Sequence, residues 1–471
     1  MKGKELFESA YNRDKWGGKI MKEKRKWMGV LSSVVLGIVM IFFLTSCSIQ
    51  SALDQKRAVE KIMGSVNESE DKTNIWGQSP VIGKNENAQN ESKKTQKNPG
   101  TETAKDYALK DVYADYFLVG AAINGSSVET AAINHPGMAA ILKKHFNSTT
   151  LSNLMKPQYL LDYEATKKSK DGMPVCRFDS CIPSLEFCRK NGIKMRGHVL
   201  VWHNQTPEWF FHKDYDVSKP LVDAATMERR LESYIKQVIE FCQKNYPGVV
   251  YCWDVVNEAI NDDGTWRENN NNWYTIMRES YVEKAFVFAR KYADKNVTLF
   301  YNDYNVFLPA KREAIYNLAK KLKVKGLIDG LGLQPTVGLD FPELDSDKSS
   351  SSFKKTLEKF AEIGLQIHIT ELHFEIEGDE SNRTPENLKK QADRYYEMMK
   401  LLLKEDKENG GPCNITCVTV FGICDDFPMY KNFKQCRYLW DKNCNPKLAF
   451  YSFLQAGLDW KASLNKNKKD K

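Results

Sequence analysis

The chain has 471 residues, 42% of them hydrophobic and 28% charged, and a net charge of +8, an ordinary composition for a globular protein. The positive excess sits in a leader: residues 1–47 carry nine Lys/Arg against four Asp/Glu, leaving 60 against 57 for the rest. That balance leaves no basic stripe and excludes nucleic acid as a partner. The length would admit two or three domains, but barrels take about 250 or more residues as one.

Lys22, Lys24, Arg25 and Lys26 precede an uncharged, mostly apolar run from Trp27 to Ser46, which meets Cys47. A basic flank before an apolar run is an export signal, with the basic side kept in the cytoplasm. The end of the run, Leu44-Thr45-Ser46-Cys47, resembles a bacterial lipoprotein box, in which the Cys is lipidated and becomes the mature N-terminus. An uncleaved anchor helix is the other reading, since the run is long enough to span a bilayer. Both place the remaining chain outside the cytoplasm on a membrane anchor. Met21 is an alternative start.

Residues 48–105 are rich in Lys, Glu, Asn, Ser and Gln, with Trp76 as the only aromatic. Such a segment cannot bury enough apolar surface to offset its ordering entropy, which predicts a disordered tether. Its mean reach would be ~40 Å.

From about Asp106 short apolar runs alternate with helical periodicity, which predicts repeated βα units. Eight runs stand out, at 116–122, 146–150, 194–201, 249–256, 297–302, 328–333, 365–370 and 416–421. Between them Leu231, Ile235, Val238 and Cys242 recur at helical spacing, as do Leu388, Ala392, Tyr395, Met399 and Leu402. The second stretch begins with Thr384 as cap, Pro385 at the first helical position and Glu386 in the first turn. Residues 106–462 therefore read as one α/β domain, a (β/α)8 TIM barrel with enlarged loops, followed by a basic tail at 463–471.

Barrels keep their chemistry at the C-terminal ends of the strands. The fourth run ends in WDVVNEA at 253–259, which puts Asn257 and Glu258 at such an exit, and the seventh leads into ITELHFEI at 369–376, with Glu371. The third passes through GHVLVWH at 197–203 to NQTPEWFF at 204–211. His198, Trp202 and His203 thus gather with Trp209 and Phe210, and polar-tipped aromatics at a barrel mouth suit sugar faces. YNDYN at 301–305 and Gln334 of LGLQ close the fifth and sixth runs.

These motifs in this order, together with NLMK at 153–156 and LWDKNCNPKLAF at 439–450, resemble the family-ten glycoside hydrolases, the (β/α)8 endo-β-1,4-xylanases. The similarity runs from about Phe117 to Leu458. It implies a retaining endo-1,4-β-xylanase that works without a cofactor or metal on xylan or xylo-oligosaccharides through a covalent glycosyl-enzyme intermediate. A monomer is expected. Retention needs two carboxyl groups roughly 5–5.5 Å apart. By the resemblance Glu258 is the acid/base and Glu371 the nucleophile, and the Glu258 carboxyl should be raised by its neighbour. Asn257 matches the Asn that bonds the 2-hydroxyl of the reacting sugar, and Asn153, Lys156, His198, Trp202 and Gln334 match residues lining the glycone subsites.

Departures from the family pattern cluster at the site. Ser152 replaces a Glu, Thr336 a His and His373 an Asp, while Phe421, in FGICDD at 421–426, and Met429 stand where two tryptophans are expected. The Thr336/His373 exchange makes His373 a candidate orienter, donating to Glu371 with the Thr336 hydroxyl as its second partner. Phe421 is expected at the substrate.

Of the eleven cysteines, Cys242 and Cys252 fall on apolar faces and read as core thiols. Cys413, Cys417, Cys424, Cys436 and Cys444 are close in sequence and could include a pair; without C-x-x-C spacing, zinc is not expected. Two other functions fit parts of the pattern: a metal-dependent barrel hydrolase using His198, His203, His368 and His373, and a glycan-binding protein without turnover. The odd spacing of His368 and His373 opposes the first, because the two would point to opposite faces of a strand.

Overall fold

Eight parallel strands form the centre of the computed structural model, which describes residues 107–426 and 435–469. They are β1 (Leu118–Ile123), β2 (Ser148–Leu151), β3 (Lys194–Trp202), β4 (Val250–Asn257), β5 (Thr298–Tyr304), β6 (Gly330–Gln334), β7 (Gln366–Phe374) and β8 (Asn414–Val420). Each pairs in parallel with the next, and β8 returns to β1 in a register from Leu118↔Cys417 to Ala121↔Val420. The sheet therefore closes and leaves no free edge. This is the expected (β/α)8 barrel, and each predicted run overlaps a strand.

The helices follow in alternation: α1 (Pro136–His145), α2 (Ile182–Asn191), α3 (Ala224–Asn245), α4 (Ser280–Tyr292), α5 (Pro309–Val324), α6 (Phe353–Ala361), α7 (Pro385–Glu405) and α8 (Leu448–Lys469). Helix α3 buries Leu231, Ile235, Val238 and Cys242, and α7 buries Leu388, Ala392, Tyr395, Met399 and Leu402, so the 3.6-residue period marked the faces that cover the sheet. The Thr384 side chain accepts from the Asn387 N–H with Pro385 next in line, a cap worth about 1 kcal/mol. Asp223 caps α3 and Ser352 caps α6 in the same way.

Two boundaries need correction. Helix α8 continues past 462 to Lys469, so residues 463–469 are not a separate tail; Lys is a good helix former and extends the preceding helix. Strand β7 runs past 370 to Phe374 because a short strand, Thr336–Val337, pairs with its end in the register His373↔Thr336 and Phe374↔Val337. That pairing lies far apart in sequence and carries no local signal.

The barrel interior is not all hydrocarbon. Arg196 of β3, 1% exposed, forms a two-pronged ion pair with Asp254 of β4, Nη1 to Oδ2 at 3.1 Å and Nη2 to Oδ1 at 2.5 Å. Its Nε donates to His368 Nδ1 at 3.1 Å. Gly332 serves close packing: an added Cβ would lie 2.2 Å from Asn302 Oδ1, so only glycine lets that amide lie against β6.

Cys242 and Cys252 are buried free thiols, and Cys424 and Cys444 have their sulfurs 3.5 Å apart. The leader, Cys47, the tether and Met429 lie outside the described residues. Among the described residues no helix is long and apolar enough to cross a membrane.

Candidate active site

Strand β4 ends in Asn257, and the next residue, Glu258, has φ +57°. A left-handed backbone at a non-glycine residue costs on the order of 1–2 kcal/mol, so its surroundings must hold it. They do at both backbone groups: the Glu258 N–H donates to Asn302 O at 2.8 Å, and its carbonyl accepts from Arg267 Nε at 2.9 Å. Ala259 follows, its N–H donating to the Tyr301 hydroxyl at 3.0 Å, and that hydroxyl donates to Asp303 at 2.5 Å. The turn thus aims the Glu258 carboxylate at two donors, Trp202 Nε1 at 2.8 Å and Asn257 Nδ2 at 3.0 Å.

The orientation of Asn257 is set from behind. Its Oδ1 accepts from Asn302 Nδ2 and from Gln334 Nε2, each at 2.9 Å. With its oxygen claimed by two amide donors, the NH2 must face Glu258. Thr370 Oγ1 donates to Asn302 Oδ1 at 2.7 Å, which links β7 to the same chain of bonds. Four strand ends therefore fix one amide.

Glu371 follows Thr370 in β7. Its side chain keeps some exposure to the cleft, but protein crowds its carboxyl; burial pushes it up to about 8, the Glu258 carboxylate adds to the rise, and the Lys156 ammonium opposes it. Burial pulls Lys156 down to about 8 against the pull of Glu371 and Glu258. Lys156 Nζ donates to Gln205 Oε1 at 2.6 Å and to Asn153 Oδ1 at 3.4 Å, and lies 4.4 Å from the Trp202 ring centre. Asn153 is held by Nδ2 donation to Gly125 O at 3.0 Å, with the Ser152 hydroxyl 3.4 Å away. The carboxyl that burial raises most directly is therefore within β7, with Thr370 on one side of Glu371 and Leu372 on the other.

His198 Nδ1 lies 2.9 Å from Asp254 Oδ2. Burial lowers His198 despite Asp254, so the ring is neutral near pH 7. Burial alone would raise Asp254, but the Arg196 guanidinium and His198 hold it below the usual carboxylate range. His368 is bonded to Arg196 and to Thr416, and His373 faces Arg437, so these three imidazoles have no hydrogen-bond partner in common.

The glycosyl hydrolase family 10 model matches residues 108–456. The chain belongs to glycosyl hydrolase family 10. It is 87% identical over 310 residues, 66% of this chain and 99% of the relative, to a Caldicellulosiruptor saccharolyticus protein named "Putative endo-1,4-beta-xylanase". It is 41% identical over 359 residues to endo-1,4-beta-xylanase B of Butyrivibrio fibrisolvens, covering 74% of this chain and 53% of that protein, so it spans about half of that relative's length. Among solved structures, the CBM22-1 and family-10 modules of Clostridium thermocellum endo-1,4-beta-D-xylanase 10B, complexed with xylohexaose, match with a TM-score of 0.65 at 32% identity, covering 74% of this chain and 67% of that one.

Within this family-10 site the structure brings together Asn153, Lys156, Trp202, Asn257, Glu258, Gln334 and Glu371 through the bonds and charges above. Phe421 reaches the rim, its N–H donating to Leu372 O at 3.2 Å and its ring 6.5 Å from that of His198. His373 requires correction as the orienter of Glu371. Its Nε2 lies 3.5 Å from Arg437 Nη1, its Nδ1 has no partner among the described residues, and burial with Arg437 holds the ring neutral. The Arg437 guanidinium, 64 positions away, takes the nitrogen that was to serve the nucleophile.

The sequence reading missed four groups: Gln205, Asp254, Arg196 and Arg437. Gln205 sits among the quoted loop polar residues and could have been included on that ground. Charges inside apolar strand runs, as at Arg196 and Asp254, were the only local sign of the buried pair.

Proposed function

We propose that this family-10 enzyme is a retaining endo-1,4-β-xylanase in which Glu258 is the acid/base and Glu371 the nucleophile. The observation that carries the reading is the contrast between the two carboxyls. Glu258 sits on a turn between an indole and an amide donor, while Glu371 is desolvated beside the Lys156 cation and feels the charge of Glu258.

In the first step a Glu371 oxygen bonds to the anomeric carbon as the glycosidic C–O bond breaks, and Glu258 gives its proton to the departing oxygen. In the second, Glu258 takes a proton from water, whose oxygen displaces Glu371 from the same carbon. A proton held by Glu371 in the free enzyme must pass to Glu258 or to solvent before attack. Lys156 favours the ionised nucleophile, because its positive charge opposes the rise. Asn257, locked with its NH2 outward, suits a bond to the 2-hydroxyl of the reacting sugar, a contact that strengthens in the transition state.

The relatives named above are xylanases, which supports xylan as the substrate. The basic flank, the apolar run 27–46 and Cys47 support an enzyme anchored by lipid on the outer side of a bacterial membrane. Proton NMR of linear xylo-oligosaccharide hydrolysis tests the central reading: the β-anomer of the new reducing end should appear first. The α-anomer as first product would exclude retention, and no product from any xylan would favour a glycan-binding role.

A further inference from the structure

The start of α1, the exit of β8 and the turn before α8 bring together three reactive side chains that play no part in holding Glu258 or Glu371. Cys424, beyond β8, is 1% exposed, and its thiol lies 3.5 Å from Cys444 Sγ. Cys444 is partly exposed, and its sulfur lies 4.0 Å from His135 Nδ1. Both thiols are free in this structure. His135 is exposed and caps α1, its Nδ1 accepting from the Met138 N–H at 3.4 Å, so that nitrogen carries the lone pair of the ring.

The turn that carries Cys444 fixes where its sulfur lies. Cys444 has φ +64°, a region that favours glycine. It is held there by its N–H donating to Asp441 O at 3.0 Å, while Asp441 Oδ1 accepts from the Asn443 and Asn445 N–H groups, each at 2.8 Å. Opposite, a Cβ added at Gly137 would lie 2.7 Å from Cys444 Sγ, so the first turn of α1 leaves room that the sulfur fills. Cys424 is anchored by a parallel bridge to Trp440. Two other cysteines near in sequence are engaged elsewhere: Cys436 Sγ accepts from Lys447 Nζ at 3.4 Å, and Cys417 Sγ lies 3.4 Å from Thr419 Oγ1.

We propose that Cys424 and Cys444 are a disulfide-forming pair, with His135 as the base, that locks the exit of β8 to the turn before α8 when the protein meets an oxidant of the disulfide class. A shift of about 1.5 Å brings the two sulfurs to bonding distance. Cys444 reacts first, because it is reachable while burial pushes the Cys424 thiol well up. His135 takes the Cys444 proton, the thiolate bonds to one sulfur of the oxidant, and the other sulfur leaves and takes up a proton from solvent. Cys424 then bonds to the Cys444 sulfur of this mixed disulfide, and its proton goes to the second departing thiolate. The pair has then given two electrons to the oxidant, which ends as two thiols. None of this depends on the xylanase reading. The compartment proposed above, outside the cytoplasm, is where such bonds persist.

The test treats the purified full chain with glutathione disulfide and compares it with the same protein kept in reductant. Digested without reduction, the oxidised protein should yield a peptide containing Cys444 joined to one containing Cys424. Its Tm should exceed that of the reduced protein by about 3–6 °C, because the bond closes a loop between positions 20 apart. C424S keeps a hydroxyl at the site; its Cys444 should stop at the glutathione adduct, and the Tm gap should vanish. H135N preserves a cap for α1 but removes the base, so adduct formation at Cys444 should slow at least about fivefold at pH 7. A wild-type Cys444 that stays a thiol or a lasting glutathione adduct, or a Tm gap that survives in C424S, would overturn the pair. An adduct rate unchanged by H135N would overturn the role of His135.

Discussion

Trp202 and Glu258 are joined by a hydrogen bond of 2.8 Å from the indole Nε1 to the carboxylate Oε2. The same indole carries Lys156 over its face at 4.4 Å, so one side chain positions both a carboxylate and a cation. Trp202→Phe keeps a ring face for Lys156 but removes the donor. A donor to a charged group is worth about 1.5–3 kcal/mol, so kcat should fall roughly tenfold to a hundredfold with a smaller change in KM. Unchanged kcat on a natural linkage would mean that Glu258 is positioned without Trp202.

Glu371 makes the free enzyme less stable as pH rises. Below about 4.5 the carboxyl is protonated in both folded and unfolded chains. Between there and about 8 the unfolded chain releases its proton while the folded one keeps it, so stability falls across that window. Glu371→Gln removes the titration and should raise Tm, with an advantage that grows from pH 4.5 to pH 8 and then levels off. Its size is on the order of a few kcal/mol at the upper end. Parallel Tm curves for the two proteins across this range would contradict the shift.

Gly332→Ala tests the chain of bonds behind Asn257. The new Cβ would fall 2.2 Å from Asn302 Oδ1, and the displaced amide could no longer hold Asn257. We expect kcat/KM to drop at least about tenfold while the circular dichroism spectrum keeps its shape. Activity within about twofold of wild type would show that Asn257 needs no support from β5.

His373→Ala should spare the chemical step. The ring faces Arg437 and packs edge-on against Tyr438 at 6.4 Å, so its loss should appear as about 1–3 kcal/mol of stability. On an unbranched aryl glycoside kcat should stay within about threefold. A loss of tenfold or more with the fold intact would restore His373 as a donor to Glu371.

The barrel was legible because its strands are dense apolar runs and α3 and α7 keep one apolar face. Asn257, Glu258 and Gln334 were legible for the complementary reason: each is a polar residue where an apolar run stops. What escaped depends on contacts remote in sequence. The pairing of Thr336–Val337 with His373–Phe374 extends β7, and the ion pair of Arg437 with Glu375 decides what His373 can reach. Similarly, the exchange of chemical types at Thr336 and His373 invited a swap of roles that only the position of Arg437 could refuse. The rise at Glu371 escaped as well, because it follows from desolvation by residues remote in sequence.

The division of labour between Glu258 and Glu371 is tested most directly by Glu258→Ala assayed on an aryl xyloside with a good leaving group, with and without azide. Such a leaving group needs no proton, so the first step should survive in the variant while hydrolysis of unactivated linkages is lost. Azide, which needs no general base, should then speed turnover and give a glycosyl azide of retained configuration. Equal loss on both substrate classes with no azide effect would contradict the assignment of Glu258, and an azide product of inverted configuration would remove Glu371 as the nucleophile.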